Sequence, residues 1–345
     1  MRFISALLVV LIGSFASALA EEKPKVATPV AVTADEVFRG LRSFYEKTAR
    51  PDGSHQPGID PDYRGMSDSV YSDLAPVTYA VTVHKTFGWK LRDEEATARF
   101  LLGRQKKDGS FFNEEGTVDP ASSEGRVYNT TQALVALRAL GRKPRHNPLA
   151  IFEEIAKKDA DKLPAYSTSF FPLAYLAYGK PIPADVDRRI RATMTQAADG
   201  YLNNHIAATF HAAHYYRLVG EPTPKAESML ARILREQKAD GSWLLNLPSR
   251  DRHATFDAVF TLRQLGHRRE DCRAAIAAAG RWALTCRNAD GGFGHFPGST
   301  SDADAVYFHV GTLVMAGFLK PADPLPSDPH LLSWGHLMPL PEARD

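Results

Sequence analysis

Two carboxylates in the last third of the chain have the spacing and setting for acid-base or metal chemistry. Asp302 and Asp304 stand two residues apart directly before an apolar segment, and His253 and His309 are the histidines that we expect nearest to them. A buried carboxylic acid that a histidine orients can donate a proton. Two carboxylates and an imidazole can also hold a divalent metal. Asp304, Asp302 and His253 are therefore the candidate catalytic residues, and Asp302 and Asp304 the candidate metal ligands.

The same two carboxylates also fit a purely structural role. Asp is favoured where a loop enters a helix, because its side chain accepts hydrogen bonds from the first backbone N–H groups. If Asp302 and Asp304 only cap a helix, replacing both with Asn should cost no more than ~1 kcal/mol of stability, since Asn caps almost as well. We favour capping over metal binding, and the sequence assigns no cofactor.

A repeated pattern indicates which elements position these residues. QKKDGSF, QKADGSW and RNADGGF each contain an Asp-Gly turn with an aromatic residue one or two positions after the glycine. Each turn precedes an apolar helix that ends at a glycine, the residue that most easily adopts the left-handed cap. With that glycine as a ruler, three weaker copies emerge, so six predicted helices end at Gly88, Gly141, Gly179, Gly220, Gly266 and Gly317.

A second helix fits into each repeat, because the terminal glycines stand 38 to 53 residues apart. In the segment 223–237, Thr223 has the position of a cap, Pro224 that of the first helical residue, and the apolar residues share one face. The helices that end at Gly141 and Gly317 are instead apolar almost all round. The sequence therefore predicts an all-α fold of six pairs, each with one buried and one half-exposed helix.

Six such pairs can form an open array or close into a ring. An open array needs polar faces on its terminal repeats, and neither the first nor the last buried helix has one. We therefore predict a closed α/α toroid of about six inner and six outer helices over residues 35–318, followed by a Pro-rich tail over residues 319–345.

A closed toroid would surround a central cavity. Counting thirteen or nine residues back from each terminal glycine selects side chains at the start of the inner helices, and these include several aromatic and polar residues. An aromatic wall with a few polar groups suits an apolar ligand. The candidate ligand-binding residues are Tyr128, Tyr166, His211, Asp257, Tyr307 and His309.

Two of the repeated segments resemble known toroids. QKADGSW at 237–243 resembles the Gln-Trp repeat of squalene cyclases, and GGFGHFPGSTSDADAVY at 291–307 resembles the Gly-Gly-Phe segment of prenyltransferase β subunits. Over about residues 36–318 the chain is thus similar to the terpenoid cyclase and protein prenyltransferase toroids. The resemblance implies the α/α toroid fold and an isoprenoid-like ligand.

The catalytic motifs of those families are incomplete in this chain. In the prenyltransferases, zinc is bound by an Asp-x-Cys pair and a histidine, and the cysteine position falls on Asp304 or, in another register, on Val306. The positions of the diphosphate-binding Arg and Lys carry Phe, Gly or Ser in either register, so protein prenylation is not expected. Class II cyclases use an Asp-x-Asp-Asp motif, which here reads Asp302-Ala303-Asp304-Ala305 and leaves Asp304 as the candidate acid.

Composition and charge exclude several functions. With 42 basic and 40 acidic residues, the chain has a net charge of +2 and no basic stripe for nucleic acid. Residues 1–20 have the apolar run and the Ala-Leu-Ala end of a secretory signal peptide, so we expect an exported protein with a linker over 21–34 and no membrane span in its mature chain. Cys272 and Cys286 lie fourteen residues apart along one predicted helix, too far for a disulfide.

These observations leave two classes of function open. The first is an exported toroid that binds an apolar or isoprenoid-like ligand, or a protein partner, without protein prenyltransferase activity. The second is an enzyme, which would be a cyclase with Asp304 as its acid or a metal-dependent enzyme with Asp302, Asp304 and a histidine. By analogy with toroids that cleave polysaccharides, Asp257, His211 and Tyr128 could also act together.

Overall fold

The structure, a computed structural model, describes residues 32–245 and 252–324, with the backbone only for 252 and 253. This part of the chain contains thirteen α-helices. In chain order they are α1 (Ala34–Thr48), α2 (Asp68–Tyr71), α3 (Leu74–Thr86), α4 (Glu94–Gly103), α5 (Ser123–Ala139), α6 (Leu149–Lys158), α7 (Phe170–Tyr178), α8 (Ala184–Thr193), α9 (Ile206–Leu218), α10 (Ala226–Glu236), α11 (Arg252–Gly266), α12 (Glu270–Thr285) and α13 (Ala303–Met315). Two short 3-10 helices, Ala160–Lys162 and Ala165–Ser167, lie between α6 and α7. The described ranges contain isolated β-bridges but no strand.

The helices form an inner and an outer ring. The inner helices α3, α5, α7, α9, α11 and α13 each pack against the next, and α13 packs against α3. The outer helices are α1, α4, α6, α8, α10 and α12. Their burial follows the predicted difference, since every residue of α13 is buried whereas α8 buries only Val186 and Ile190. The predicted all-α toroid of six helical pairs is therefore confirmed.

The Asp-Gly turns join neighbouring repeats. Besides the three turns named above, two of the weaker copies contain one, at Asp52-Gly53 and Asp199-Gly200. All five turn glycines, which are Gly53, Gly109, Gly200, Gly241 and Gly291, have a φ between +85° and +94°, a backbone conformation that glycine adopts without strain. In the second repeat the amide nitrogen of Gln105 donates to the carbonyl oxygens of Gly109 and of His146, just before the next outer helix. Gln196 and Gln237 make the equivalent pairs of bonds. The turn motif therefore has a structural role.

A contact between an Asp-Gly turn and an outer helix also closes the ring. A Cβ atom on Gly291, in the last turn, would lie 2.3 Å from the carbonyl oxygen of Gly40 in α1, so these two backbones touch. Arg287 also donates to the carbonyl oxygen of Glu36 in the same helix. On the inner ring, Tyr307 of α13 stacks on Tyr79 of α3 with the ring centroids 4.0 Å apart. The sixth repeat thus packs on the first as each repeat packs on its neighbour.

Two local predictions were wrong. Gly266 ends α11 within the helix and has no positive φ, unlike the other five terminal glycines. The outer helix α10 begins at Ala226, and Lys225, with a φ of +53°, precedes it in place of a Thr223 cap. The reason is that the Lys225 ammonium donates to the carbonyl oxygens of Gln196 and Ala197 at the preceding turn, which fixes the entry of the chain.

Several predictions concern residues outside the described ranges. The predicted signal peptide (1–20) lies entirely outside them, as do most of the linker (21–34) and of the Pro-rich tail (319–345), and all three stay predictions. Within the described ranges, none of the helices combines the length and the apolar character that crossing a membrane requires. Cys272 and Cys286 are both buried and unbridged.

Candidate functional site

The inner helices surround a cavity of about 380 Å³. Each inner helix contributes the residue that stands nine positions before its terminal glycine, and these six lining residues are Tyr79, Gln132, Phe170, His211, Asp257 and Phe308. Because the glycine marks the same level in every repeat, the same count reaches the cavity each time. The volume falls within the range of small-molecule sites in proteins.

Five of the six candidate ligand-binding residues line this cavity, namely Tyr128, Tyr166, His211, Asp257 and Tyr307. His309 does not line it, and its Nε2 atom lies 3.0 Å from the carbonyl oxygen of Gly294. The physical reason is helical geometry, since two residues after Tyr307 the chain has turned by about 200°. His309 therefore packs against Trp282 on the outer side of α13.

One wall of the cavity was not predicted from the sequence. Ser67, Asp68 and Tyr71, in and just before the four-residue helix α2, line it together with the inner helices. The Tyr79 hydroxyl donates to Asp68 Oδ2 at 2.5 Å, which fixes this carboxylate at the wall. Counting back from the terminal glycines could not locate α2, because α2 lies in the connection between a turn and an inner helix.

Tyrosine hydroxyls also join the α2 wall to the wall beside α7. Tyr71 and Tyr166 both donate to Oε1 of Glu124, at the start of α5. Tyr166 is 41% exposed although it lines the cavity, so this part of the wall borders on solvent. The tyrosine rings extend the apolar wall, and the shared carboxylate holds their polar ends.

Two acidic residues are among the described residues that line the cavity. Asp68 lies on one side and Asp257, which is 3% exposed, on α11. Among the lining residues that the structure describes there is no Lys or Arg. A multiply charged anion would therefore find no cationic side chain among these residues.

Three histidines line the wall around α9. Burial is the largest cause that lowers the pKa of each, to about 3 for His211 and His214, with a smaller shift for His205. Nearby positive charge adds to the effect, from the other two histidines at His211 and from Arg217 at His214. The rings are therefore neutral at pH 7 and act as hydrogen-bonding groups without charge.

This burial predicts a dependence of stability on pH. His214 and His55, which packs beside the first turn, are both more than nine-tenths buried, and each has its pKa lowered to about 3, mainly by burial. In the unfolded chain the pKa is about 6.5, so below that pH the unfolded state binds more protons than the native state. As the pH is lowered from 6.5 to 4, we expect each of these histidines to reduce the free energy of unfolding by up to about 1.4 kcal/mol per pH unit.

Chemical denaturation at a series of pH values measures this dependence. The variant His214→Phe removes one of the histidines with a lowered pKa and should flatten the slope by up to about 1.4 kcal/mol per pH unit. A wild-type stability that stayed constant from pH 6.5 to pH 4 would contradict the assignment of neutral buried histidines.

Asp302 and Asp304 are fully buried and lie outside the cavity lining. Asp302 is the N-cap of α13, and its Oδ1 accepts from the backbone N–H of Asp304 at 2.8 Å and from the Ser69 hydroxyl at 2.6 Å. Its Oδ2 accepts from the Tyr63 hydroxyl at 2.8 Å and from the backbone N–H of Met66 at 3.0 Å. One carboxylate thus joins α13 to the segment around α2.

The acid-base chemistry proposed for this pair depends on protonation and access. Burial raises the pKa of Asp302, but the His295 ring and the Ser69 and Tyr63 hydroxyls outweigh it, so the net pKa is lowered and the carboxylate stays ionised. Asp304 Oδ2 accepts from the backbone N–H of Asp68 at 2.8 Å, so the chain of α2 lies between it and the cavity. The side chain of His253 lies outside the described residues, and its pairing with Asp304 stays a prediction.

A metal fits this group poorly. His295, Asp302 and Asp304 offer ligand atoms within 4.8 Å of one another, and His295 Nε2 lies 3.6 Å from Asp302 Oδ2. However, four donors already fill the acceptor positions of Asp302, and the thiolate of the prenyltransferase zinc site is absent here. We therefore assign no metal to this group of residues, and we assign Asp302 a capping role.

The comparison with family models agrees with the helical architecture. Residues 133–338, more than half of the chain, match the prenyltransferase alpha-alpha toroid domain. No curated protein matches the sequence.

Solved structures with the same fold include enzymes of isoprenoid chemistry. The Candida albicans protein geranylgeranyltransferase-I complexed with GGPP has 14% identity and a TM-score of 0.56, over 73% of this chain and 87% of that one. A type II terpene cyclase from Scytonema in complex with merosterolic acid A has 16% identity and a TM-score of 0.56, over 83% and 97%. A protein from Actinoplanes has 16% identity and a TM-score of 0.55, over 82% and 98%. At this identity the likeness shows the fold.

Proposed function

Because the chain belongs to the prenyltransferase alpha-alpha toroid family, we propose that its central cavity binds an uncharged, isoprenoid-like molecule outside the cytoplasm. The observation that carries this proposal is the 380 Å³ cavity, whose described lining is largely aromatic and contains no cationic side chain. The predicted signal peptide supports export. The ligands of the structural neighbours support the isoprenoid class: GGPP in the protein geranylgeranyltransferase-I, and geranylgeranyl dihydroxybenzoate in another complex of the type II terpene cyclase from Scytonema.

The walls suit an apolar chain. Tyr79, Tyr307 and Phe308 form an aromatic cluster with centroids 4.0 to 6.0 Å apart. Phe256 continues it, with its centroid 4.9 Å from that of Phe308 and 5.7 Å from that of Phe210. Transfer of apolar surface from water to such walls contributes roughly 25 cal/mol per Å². A branched hydrocarbon chain therefore gains most of its binding free energy from this contact.

The composition of the wall does not suit a diphosphate. The described residues that line the cavity include no Arg or Lys that could bind its charge. A prenyl diphosphate should therefore bind more weakly than the alcohol with the same chain. This is also why we propose no protein prenyltransferase activity.

Titration of the purified mature protein with geranylgeraniol and with geranylgeranyl diphosphate tests the proposal. We expect the alcohol to bind at least about tenfold more tightly, which corresponds to about 1.4 kcal/mol. Ala207 lines the cavity, and Ala207→Phe should abolish binding because the ring fills the space. Ala231→Phe, on the exposed face of α10, is the matched control and should bind as the wild type does.

Equal or tighter binding of the diphosphate would contradict the proposed charge selection. Unchanged binding by Ala207→Phe would show that the ligand lies elsewhere. Mass spectrometry of organic extracts from the purified protein adds an independent check, because a ligand retained from the cell would reveal its class.

A second candidate function is cyclisation of an isoprenoid, and one observation favours it. Asp68, held by the Tyr79 hydroxyl, lies directly at an aromatic wall, where its protonated form would be placed to donate to an alkene. Asp304, which accepts from the backbone N–H of Asp68, would then help to hold Asp68 in place. Cyclisation by protonation and loss of a proton keeps the mass, so gas chromatography of the incubated ligand is the suitable assay. A new retention time that Asp68→Asn abolishes would support the enzyme.

A further inference from the structure

The polar groups around α9 indicate what else the ligand must carry beyond an apolar chain. His205, His211 and His214 all line the cavity, but their hydrogen bonds differ. His205 Nδ1 accepts from the backbone N–H of Ala207 at 3.1 Å and so caps α9. His214 stacks on Phe210 at 5.6 Å. His211 alone of the three is bound to a side chain of another inner helix.

That side chain is Ser169, the residue before α7. Its hydroxyl lies 2.7 Å from His211 Nδ1 and makes no capping bond to α7. The rings of Phe170 and Phe210 pack against the imidazole with centroids 5.4 and 4.7 Å away, so the ring has little freedom to turn. Ser169 is 1% exposed and lines the cavity beside it.

This arrangement leaves the second ring nitrogen for a ligand. With Nδ1 bound to Ser169, Nε2 lies on the opposite side of the imidazole, and within the described residues no hydrogen bond is made to it. The serine hydroxyl can either donate to Nδ1 or accept from it, so Nε2 can present a lone pair or an N–H group. Its ideal partner is a hydroxyl group, which can also do both.

We propose that Ser169 and His211 bind the hydroxyl group of an isoprenoid alcohol, which makes this pair the determinant of the ligand's polar end. The inference rests on the proposed function and names its ligand class more closely. A neutral imidazole cannot compensate a phosphate or carboxylate. It can reject a hydrocarbon, because a buried nitrogen that loses water without gaining a partner weakens binding.

The experiment compares geranylgeraniol with the tetraene hydrocarbon of the same chain, both measured by displacement of one fluorescent probe at a fixed detergent concentration. We expect the wild type to prefer the alcohol by about tenfold. His211→Phe should remove this preference while its affinity for the hydrocarbon stays at the wild-type value or rises. Ser169→Ala, which retains the imidazole but not its fixed orientation, should reduce the preference several-fold.

His84→Phe is the matched control, since it makes the same change at a buried histidine of another inner helix, α3, that does not line the cavity. It should keep the preference for the alcohol. Should His211→Phe fail to fold, Ser169→Ala against His84→Phe still makes the comparison. Equal binding of alcohol and hydrocarbon by the wild type, or a preference that survives His211→Phe, overturns the inference and leaves the proposed function standing. Binding of neither ligand overturns the proposed function itself.

Discussion

Replacement of Asp302 with Asn is expected to lower the free energy of unfolding by about 3 kcal/mol. An amide has only one acceptor oxygen, whereas each of the two Asp302 oxygens accepts two bonds. The hydroxyls of Tyr63 and Ser69 can turn to accept from the amide. In one orientation, however, the NH₂ group faces the backbone N–H of Met66, which loses its acceptor. In the other it faces the backbone N–H of Asp304, which keeps only its longer bond, 3.2 Å, to the Ser69 hydroxyl.

Chemical denaturation of the variant measures this loss. Asp93→Asn is the control, because Asp93 is an exposed N-cap that accepts a single bond, from the backbone N–H of Ala96 at 2.9 Å. It should change stability by less than about 1 kcal/mol. A similarly small effect at Asp302 would restore the simple capping role in which Asn substitutes for Asp almost without cost.

Replacement of Gly291 with Ala should destabilise the protein even more, by well over about 3 kcal/mol. The new Cβ atom would lie 2.3 Å from the carbonyl oxygen and 2.5 Å from the Cα atom of Gly40. Both neighbours are backbone atoms, so no side chain can move aside. The last turn would have to separate from α1, and the contact that closes the ring would be lost.

Gly141→Ala separates this clash from the backbone strain. Gly141 also has a positive φ, +68°, but a Cβ atom there would meet nothing within 4 Å. The control should therefore cost only the roughly 1 kcal/mol of a left-handed alanine. Melting temperatures of both variants decide the question, and equal losses would mean that the contact between Gly291 and Gly40 contributes nothing.

The repeated glycine made most of the fold predictable. It marks the same level in each inner helix, so counting back from it located the inner helices and the six lining residues from Tyr79 to Phe308. The count of nine residues reaches the cavity in every repeat because a helix advances by a fixed angle per residue, whereas the count of thirteen selects Ala75 and Asp304, which do not line it. His309 was selected by its nearness to Tyr307 in sequence and not by its face, and it does not line the cavity either.

What the sequence could not show lies between the repeats. Asp68 and Ser69 belong to a connection without periodicity. Their positions depend on contacts with Asp304 and Asp302 respectively, more than 230 residues away. The pairing of Ser169 with His211 likewise joins two repeats. Such contacts follow from how the helices pack, which no local pattern specifies.

The contact between Gly291 and Gly40 also limits how this architecture can change. A linear array gains or loses a repeat without altering the groove along its other members, because each repeat touches only its neighbours. Here every repeat has two neighbours, so a seventh pair could enter only by spreading the other six, and the central space would widen around its whole circumference. The number of repeats therefore sets the width of the ligand that the cavity can hold. The side chains of the inner helices determine which ligand of that width is bound.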